Sequence, residues 1–436
     1  MIRRFIAVLT IATGLWLGAG PGLRGAHAAP VLVDGSIAVS SEFSIGRLDS
    51  LVRVDPGRFG ARGILSPEWV PESGEYSVQT LVINSATVAA SALWRSGAST
   101  VIAGTTVLAH HSPGAFDGTS VDVVPESLGI GLGYEPPSLA MPVVTTWFGR
   151  FRLTDPSRLV LHELVDGASV VLRWTSVSAS LGGGLTSLVS RYSYGIRADD
   201  VDRIYADDPA DGTTVAKRYV AAPRRLAVAR VDAELPIDAS GNADHAAGLF
   251  GVYADDLATT GGDRAYVGAV ARGRVLGVAY DATAVVAVRD GGVLAGAGLR
   301  YPDDPRSLTA ATVAVRYASG GRVVGSFVPV TATPQGSVLA LPLENLVVVR
   351  AGIESAGLRV RRSPGDADRV RFGVVVSGYA LPETEAGLAA GWIGAEASGS
   401  VVFSILPDLS VDSTAGVAIT ATALIPHVRI RGRLDL

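Results

Sequence analysis

The sequence has 436 residues, a formal net charge of −4 at pH 7 and no cysteine. A mildly acidic chain gives no support to nucleic-acid binding, and the lack of cysteine excludes disulfides and thiolate metal sites. Hydrophobic residues make up 48% of the chain and the mean hydropathy is +0.35. That hydropathy is unusual for a water-soluble secreted protein of this length.

The N-terminus has the features of an export signal. Arg3 and Arg4 precede an apolar run from Phe5 to Leu17, and Ala26-His27-Ala28 forms an A-x-A cleavage site. We predict that residues 1–28 are a signal peptide and that the mature chain comprises residues 29–436. A retained N-terminal anchor helix is the alternative interpretation.

From about residue 31 to the end, short runs rich in Val, Ala, Leu and Thr alternate with Gly, Pro, Asp and Ser, a texture typical of β-strands. In the first half we predict strands over 31–54, 76–94, 100–109, 142–153 and 168–179. Two connections, 110–140 with its prolines and the aspartate-rich 194–212, are predicted as outer loops that could also fold inward.

The second half contains the clearest strands, and Asp290-Gly291 is a strong two-residue hairpin turn. We predict strands over 225–237, 245–254, 266–273, 274–288, 293–301, 308–317, 322–330, 346–352, 353–362, 369–381, 388–396, 398–406, 411–423 and 427–436. A membrane helix needs roughly 20 apolar residues, and the best candidate, 266–288, is interrupted by Arg272, Arg274 and Asp281.

The final strand alternates without interruption. Its charged side chains share one face because strand side chains point to opposite sides with period two. The charged face carries His427, Arg429, Arg431, Arg433 and Asp435, and the apolar face carries Val428, Ile430, Gly432, Leu434 and Leu436.

The export signal, the absence of cysteine, the serial amphipathic strands and this final strand together resemble bacterial outer-membrane β-barrels, porins in particular. The resemblance is architectural and covers about residues 31–436. It implies an all-β fold, a single antiparallel up-and-down transmembrane β-barrel occupying residues 29–436. At roughly 25 residues per strand with its connection, about 16 strands are expected, within a range of about 14 to 20.

The same resemblance places the protein in the outer membrane of a diderm bacterium, exported by its signal peptide. The expected partners are outer-membrane lipid, small solutes and the barrel-assembly machinery, with a homo-oligomer suggested by analogy with porins. Nucleic acid is not an expected partner.

Charged residues at alternating strand positions are the candidate functional residues. A charge facing lipid costs about 2–4 kcal/mol near the membrane midplane, so these side chains are expected to line the lumen. Alternatively, they pair with acids such as Asp232, Glu234 and Asp281 and only hold the strands together. The candidates are Arg150, Arg152, Arg230, Asp232, Glu234, Arg272, Arg274, Arg369, Arg371, Arg429 and Arg431.

We therefore expect a passive porin-like channel for small solutes with a weak preference for anions. Two alternatives remain: a structural or adhesive barrel with a filled lumen, and a secreted soluble β-rich binding protein. No G-x-S-x-G, HExxH or P-loop motif is present, so no enzyme, cofactor or metal is expected. The glycines at 129, 131, 133 and 182–184 are interpreted as strand or loop flexibility.

Overall fold

The computed structural model describes residues 32–47, 78–115, 118–138, 140–186, 224–235, 245–256, 263–302, 309–320, 325, 327–330, 335, 341, 343, 345–358, 370–382, 391–404, 408–420 and 424–435. The predicted signal peptide, the aspartate-rich connection 194–212 and Arg369 lie outside these residues. The prediction of a signal peptide therefore remains a prediction.

The described residues form 18 β-strands in one sheet. The first nine strands are β1 (Leu32–Arg47), β2 (Val78–Ser96), β3 (Ser99–Ala115), β4 (Gly118–Tyr134), β5 (Val143–Thr154), β6 (His162–Arg173), β7 (Val177–Leu185), β8 (Arg224–Leu235) and β9 (His245–Asp256). The other nine are β10 (Arg264–Val275), β11 (Val278–Ala287), β12 (Val293–Tyr301), β13 (Thr309–Ala318), β14 (Leu346–Leu358), β15 (Val370–Leu381), β16 (Gly391–Ser404), β17 (Leu409–Thr420) and β18 (Leu424–Asp435).

The sheet closes on itself. Each strand is antiparallel to the next along the chain, and β1 also pairs with β18, with Phe43 opposite Ile430. Closure removes the exposed edges that an open sheet would present. The predicted all-β, up-and-down barrel with paired terminal strands is therefore confirmed.

The two ends of the barrel differ in their connections. Connections at the end that holds both chain termini include the tight turns 97–98, 174–176 and 276–277, and we name it the turn end. The opposite end, named the loop end, carries 48–77, 186–223 and 319–345. At Leu276 and Gly277 both φ angles are positive, 50° and 79°, the backbone that a two-residue hairpin turn requires.

The outer face of the barrel is apolar. Along β18, Val428 and Ile430 are exposed, while His427 and Ile425 on the opposite face are buried. The same exposure recurs around the whole circumference, as expected for a surface in contact with lipid. Examples are Ile37, Leu128, Ile130, Phe148, Leu181, Val231, Leu249, Val267, Val286, Leu299, Val313, Val349, Phe372, Val374, Phe403 and Ile419.

Placing a charge on this outer face should destabilise the barrel in lipid. Ile430→Arg is expected to lower the free energy of unfolding in lipid vesicles by about 2–4 kcal/mol, because the guanidinium would lie in hydrocarbon. Urea unfolding followed by tryptophan fluorescence measures this loss. Ser398→Arg on the inner face is the control and should change stability by less than about 0.5 kcal/mol; equal losses would contradict the assignment of faces.

Several predicted elements differ from the structure. The barrel has 18 strands rather than about 16, mainly because 110–140, predicted as a loop, contains the end of β3 and all of β4. The predicted strand 168–179 is interrupted by the turn 174–176. The predicted pairs 346–352 with 353–362, and 388–396 with 398–406, are the single strands β14 and β16.

The predicted strand 322–330 is also wrong, because residues 327–330 are not in a strand. They belong to the connection 319–345, which packs inside the barrel. Among the described residues, no helix is long and apolar enough to cross a membrane.

Candidate functional site

The inner face of the barrel is identified by alternation and burial. On β8, Leu226 and Val228 are buried, whereas Val231, on the other face, is 52% exposed to the outside. Arg230, Asp232 and Glu234 have the same parity as Leu226 and therefore lie on the inner face. Register pairing extends the assignment from β8 to its neighbours, since directly opposed residues share a face.

A row of five glycines crosses the inner face between β3 and β7. Each is directly opposite the next in register, and we name them the glycine row: Gly104, Gly129, Gly149, Gly167 and Gly184. A Cβ atom at Gly149 would lie 2.1 Å from the carbonyl oxygen of Leu128, and one at Gly167 would lie 2.0 Å from that of Gly183. Only glycine fits there, because the neighbouring backbone occupies the side-chain position.

The sheet bends inward at the glycine row. Beyond it, Leu153 at the end of β5 reaches across β6, so that a Cβ at Gly182 on β7 would lie 3.0 Å from Leu153 Cδ1. Leu153 and Val165 join one hydrophobic cluster with Leu226 and Val228 of β8. The end of the β5–β6 hairpin therefore packs into the lumen at the loop end.

The connection 155–161 is held inside by one carboxylate. Asp155 is buried, and its Oδ1 accepts hydrogen bonds from the N–H groups of Val160 (3.1 Å) and Leu161 (2.7 Å). Its Oδ2 accepts another from the N–H of Ser157 at 2.8 Å. These bonds fix the turn that places Leu159, Val160 and Leu161 in the hydrophobic cluster.

The connection 319–345 packs against the opposite wall. Phe327 is fully buried and meets the ring of Tyr266 edge-on, with centroids 5.7 Å apart. The Tyr266 hydroxyl donates a hydrogen bond to the carbonyl of Val328 at 2.5 Å. Val330 and Leu343 join the same cluster, which also contains inner-face residues of β8 to β13, namely Leu226, Val228, Phe250, Val252, Ala254, Tyr266, Val285, Ala287, Leu294 and Ala318.

A polar contact joins the same connection to the middle of the wall. Arg316 on β13 donates a hydrogen bond from Nη1 to Gln335 Oε1 at 2.6 Å. Gln335 is fully buried and pairs through its backbone with Leu341. On the next strand, Arg350 Nε donates to Ser377 Oγ at 3.3 Å. The lumen is thus narrowed at the loop end by packed chain, with arginines at the boundary.

Two of the predicted lumen residues lie beyond the glycine row. Arg150 and Arg152 have the strand parity of Phe148, which is exposed on the outer face. Arg150 is 3% exposed and pairs with Asp166 at 2.9 Å, and Arg152 Nη1 lies 3.0 Å from His162 Nε2. Both belong to the end of the inward-packed hairpin, so the proposed lumen-lining role rests on the other candidates.

The remaining described candidates lie on the inner face. Arg230 forms an ion pair with Asp232, and Glu234 follows toward the turn end. Arg272 is opposite Asp281 in register, with Arg274 beyond it. On the other side of the barrel, Arg371 shares the face of buried Tyr379, and Arg429 and Arg431 share that of buried His427.

The sequence analysis missed several inner-face residues. They are Trp147, Arg173, Arg300, Arg316, Arg350 and Glu396; Arg300 pairs with Glu354 at 2.9 Å. Each arginine stands alone in its strand, so the search for pairs two apart did not find it. A search for single arginines that alternate with small or polar residues would have found Arg316 in TAATVAVRYA.

Exposed arginines are concentrated toward the turn end. Within the described part of the chain, Arg173, Arg272, Arg371 and Arg429 form no ion pair or hydrogen bond, and they come from four strands spaced around the wall. The described inner-face arginines also outnumber the acids there. The acids are Asp34, Glu163, Asp232, Glu234, Asp281, Glu354, Glu396 and Asp412. In the same described residues, no group of three or more His, Asp or Glu side chains could hold a metal ion.

A closed antiparallel barrel of 18 strands with an apolar outer face is the architecture of a bacterial outer-membrane β-barrel, and this chain has that architecture. Solved channels from Pseudomonas aeruginosa share it. OccK5 (OpdH) matches with a TM-score of 0.55 and 10% identity, covering 92% of this chain and 98% of that one. The outer membrane protein opdK matches with a TM-score of 0.56 and 10% identity, covering 93% and 98%.

OccK2 (OpdF), solved in complex with glucuronate, matches with a TM-score of 0.55 and 10% identity, covering 92% of this chain and 98% of that one. No protein-family model and no curated protein matches the chain. The comparisons thus agree with the barrel fold, and the chain's own residues must carry the argument about function.

Proposed function

We propose that the protein is a passive outer-membrane channel for small solutes that prefers anions. The observation that carries this proposal is the set of unpaired inner-face arginines on β6, β10, β15 and β18. Fixed positive charge on a pore wall lowers the barrier for anions and raises it for cations. In the membrane, the turn end would face the periplasm, because bacterial barrels have short periplasmic turns and longer outer loops.

Small organic anions are the solute class that fits this wall. OccK2, which has the same barrel fold, was solved in complex with glucuronate, a small carboxylate. The arginines of this chain supply the donors that a carboxylate needs, since the guanidinium group offers two parallel N–H groups to its oxygens. We propose that neighbouring acids such as Asp281 keep the preference weak.

The zero-current potential across a planar bilayer in a potassium chloride gradient tests the proposal. We expect a potential of the sign set by chloride permeation. Because screening lengths are about 10 Å at 0.1 M salt and about 3 Å at 1 M, the preference should be greatest in dilute salt. A clear preference for potassium would contradict the proposal.

The double variant Arg371→Gln/Arg429→Gln tests the role of the wall charges. It removes two unpaired inner-face charges and should reduce the anion-to-cation permeability ratio by about twofold or more at 0.1 M salt. The matched control, Arg225→Gln/Arg289→Gln, removes two charges that already pair with Asp255 and Asp263 near the loop end. If both variants change the ratio equally, the inner-face arginines do not set it.

A structural or adhesive barrel is the second candidate function. The apolar cluster formed by 155–161 and 319–345 occupies part of the lumen at the loop end, as a filled barrel would require. Failure of the reconstituted wild-type protein to conduct chloride would favour this alternative. The secreted soluble protein considered from the sequence is at odds with the continuous apolar outer face.

A further inference from the structure

We propose that Trp147 and Arg173 form a binding site on the inner wall for small carboxylates built on a six-membered ring. This inference rests on the proposed channel function and names a solute class for it. Trp147 would stack on the ring of the solute, and Arg173 would bind its carboxylate.

The Trp147 indole lies flat against a strip of wall that has no side chains. A Cβ at Gly131 would lie 2.9 Å from Trp147 Cε3, and one at Gly129 would lie 3.0 Å from Cε2 and from Nε1. A Cβ at Gly104 on β3 would lie 4.0 Å from Cη2. Because these contacts are spread around both rings, one face of the indole covers the glycines and the other faces the lumen.

Trp147 differs from the other inner-face aromatic residues of the described chain. Phe250, Tyr266 and Tyr379 are buried beneath packed chain, and Phe151 packs against the same hydrophobic cluster. Trp147 is only partly buried and belongs to neither hydrophobic cluster. Its Nε1 is buried without a hydrogen-bond partner. The indole is therefore positioned for apolar stacking, not for hydrogen bonding to a solute.

Arg173 supplies the charge on the same face. Ser169 on β6 is opposite Trp147 in register, and Arg173 is four residues further along β6 with the same parity. That spacing corresponds to about 13 Å along the strand. The Arg173 side chain is exposed and forms no ion pair or hydrogen bond in the described structure. It can extend back toward Trp147, leaving room between guanidinium and indole for a ring with one carboxylate.

The two residues predict a specific discrimination. An aromatic ring or the C–H face of a pyranose stacks on an indole, and such contacts contribute about a factor of two to ten in affinity. A carboxylate binds a guanidinium whether its carbon chain is cyclic or open. Wild-type protein should therefore bind a cyclic carboxylate more tightly than an open-chain carboxylate of similar size and equal charge.

Two matched pairs of probes test this in planar bilayers. Galacturonate is compared with open-chain galactonate, and benzoate with hexanoate, each titrated as a blocker of chloride current. We expect the cyclic member of at least one pair to block about two- to tenfold more tightly. Trp147→Ala should remove that ratio, Trp147→Phe should retain part of it, and Arg173→Gln should weaken all four probes while preserving it. Trp392→Ala, on the outer face and 62% exposed, is the control and should change nothing.

The outcomes separate the site from the channel. A ratio for galacturonate alone would identify a pyranose solute and a ratio for benzoate alone an aromatic one; either supports the site. A ratio that persists in Trp147→Ala, or that is absent from the wild-type protein, would overturn it. Isothermal titration of the detergent-solubilised protein with the same probes gives the ratio without conductance. If titration shows the ratio while chloride does not pass, the channel function fails and the site stands.

Discussion

Replacing Gly167 with alanine is expected to lower the free energy of unfolding of the barrel by more than about 4 kcal/mol. The added methyl group would lie 2.0 Å from the carbonyl oxygen of Gly183 and 2.5 Å from Gly184 Cα. Both atoms belong to backbone that is hydrogen-bonded within the sheet, so neither can move without separating β6 from β7. Urea unfolding in detergent micelles, followed by tryptophan fluorescence, measures the loss.

The same substitution should also alter the pore. If β6 and β7 separate at the glycine row, the end of the β5–β6 hairpin leaves the hydrophobic cluster, and single-channel conductance should rise in the molecules that still fold. Gly296→Ala is the control, because a methyl group on that inner-face glycine would have its nearest contact, Arg316 Cγ, at 3.7 Å. It should be neutral or stabilising by about 0.5–1 kcal/mol. Equal effects at positions 167 and 296 would show that the sheet is not bent at the glycine row.

The barrel itself could be predicted from the sequence because lipid imposes a strict rule on every strand. Val231, Phe372, Val428 and Ile430 are exposed on the outer face, as predicted, and β1 pairs with β18. A bilayer offers no hydrogen bonds to an open sheet edge, so alternating strands without helices leave closure as the remaining solution. That constraint acts on each strand separately and can therefore be recognised in a single sequence.

The strand count was too low where local signals conflicted with the barrel. Prolines in 110–140 suggested a loop, yet Pro125 lies in β4. The register between β3 and β4 shifts between Thr106 and Val107, opposite Pro125, and again between Ser112 and Ala115, next to Pro113. A β-bulge accommodates a residue that cannot donate to the ladder. The bulges depend on the partner strand and cannot be deduced from the prolines alone.

The interior was harder to predict than the outer face. Leu226 and Val228 are apolar on the side where a water-filled lumen would require polar residues, because chain from two distant connections packs on them. Likewise, the two-apart spacing of Arg150 and Arg152 suggested lumen residues, but the glycine row bends the sheet just before them. Both features arise from contacts between segments far apart in sequence, which period-two alternation does not describe.

The connection 319–345 should be released from the wall by a single substitution, Phe327→Ala. Phe327 is fully buried and fills the space between Tyr266 and the apolar inner wall. Its truncation should cost about 3–5 kcal/mol of packing free energy. The strand ladder does not depend on this side chain, so the cost should fall on the connection. We expect higher and more variable single-channel conductance, with heat-modifiable gel mobility unchanged.

Tyr266→Phe separates packing from hydrogen bonding in the same contact. It keeps the ring that meets Phe327 and removes only the hydroxyl that donates to the Val328 carbonyl, at a cost of about 1 kcal/mol. Conductance should therefore stay close to that of the wild-type protein. If Phe327→Ala also left conductance unchanged, the connection would either be held by other contacts, such as that between Gln335 and Arg316, or lie outside the conducting path. Adding Gln335→Ala to Phe327→Ala distinguishes these cases, because only a connection that narrows the path can raise conductance when both of its anchors are removed.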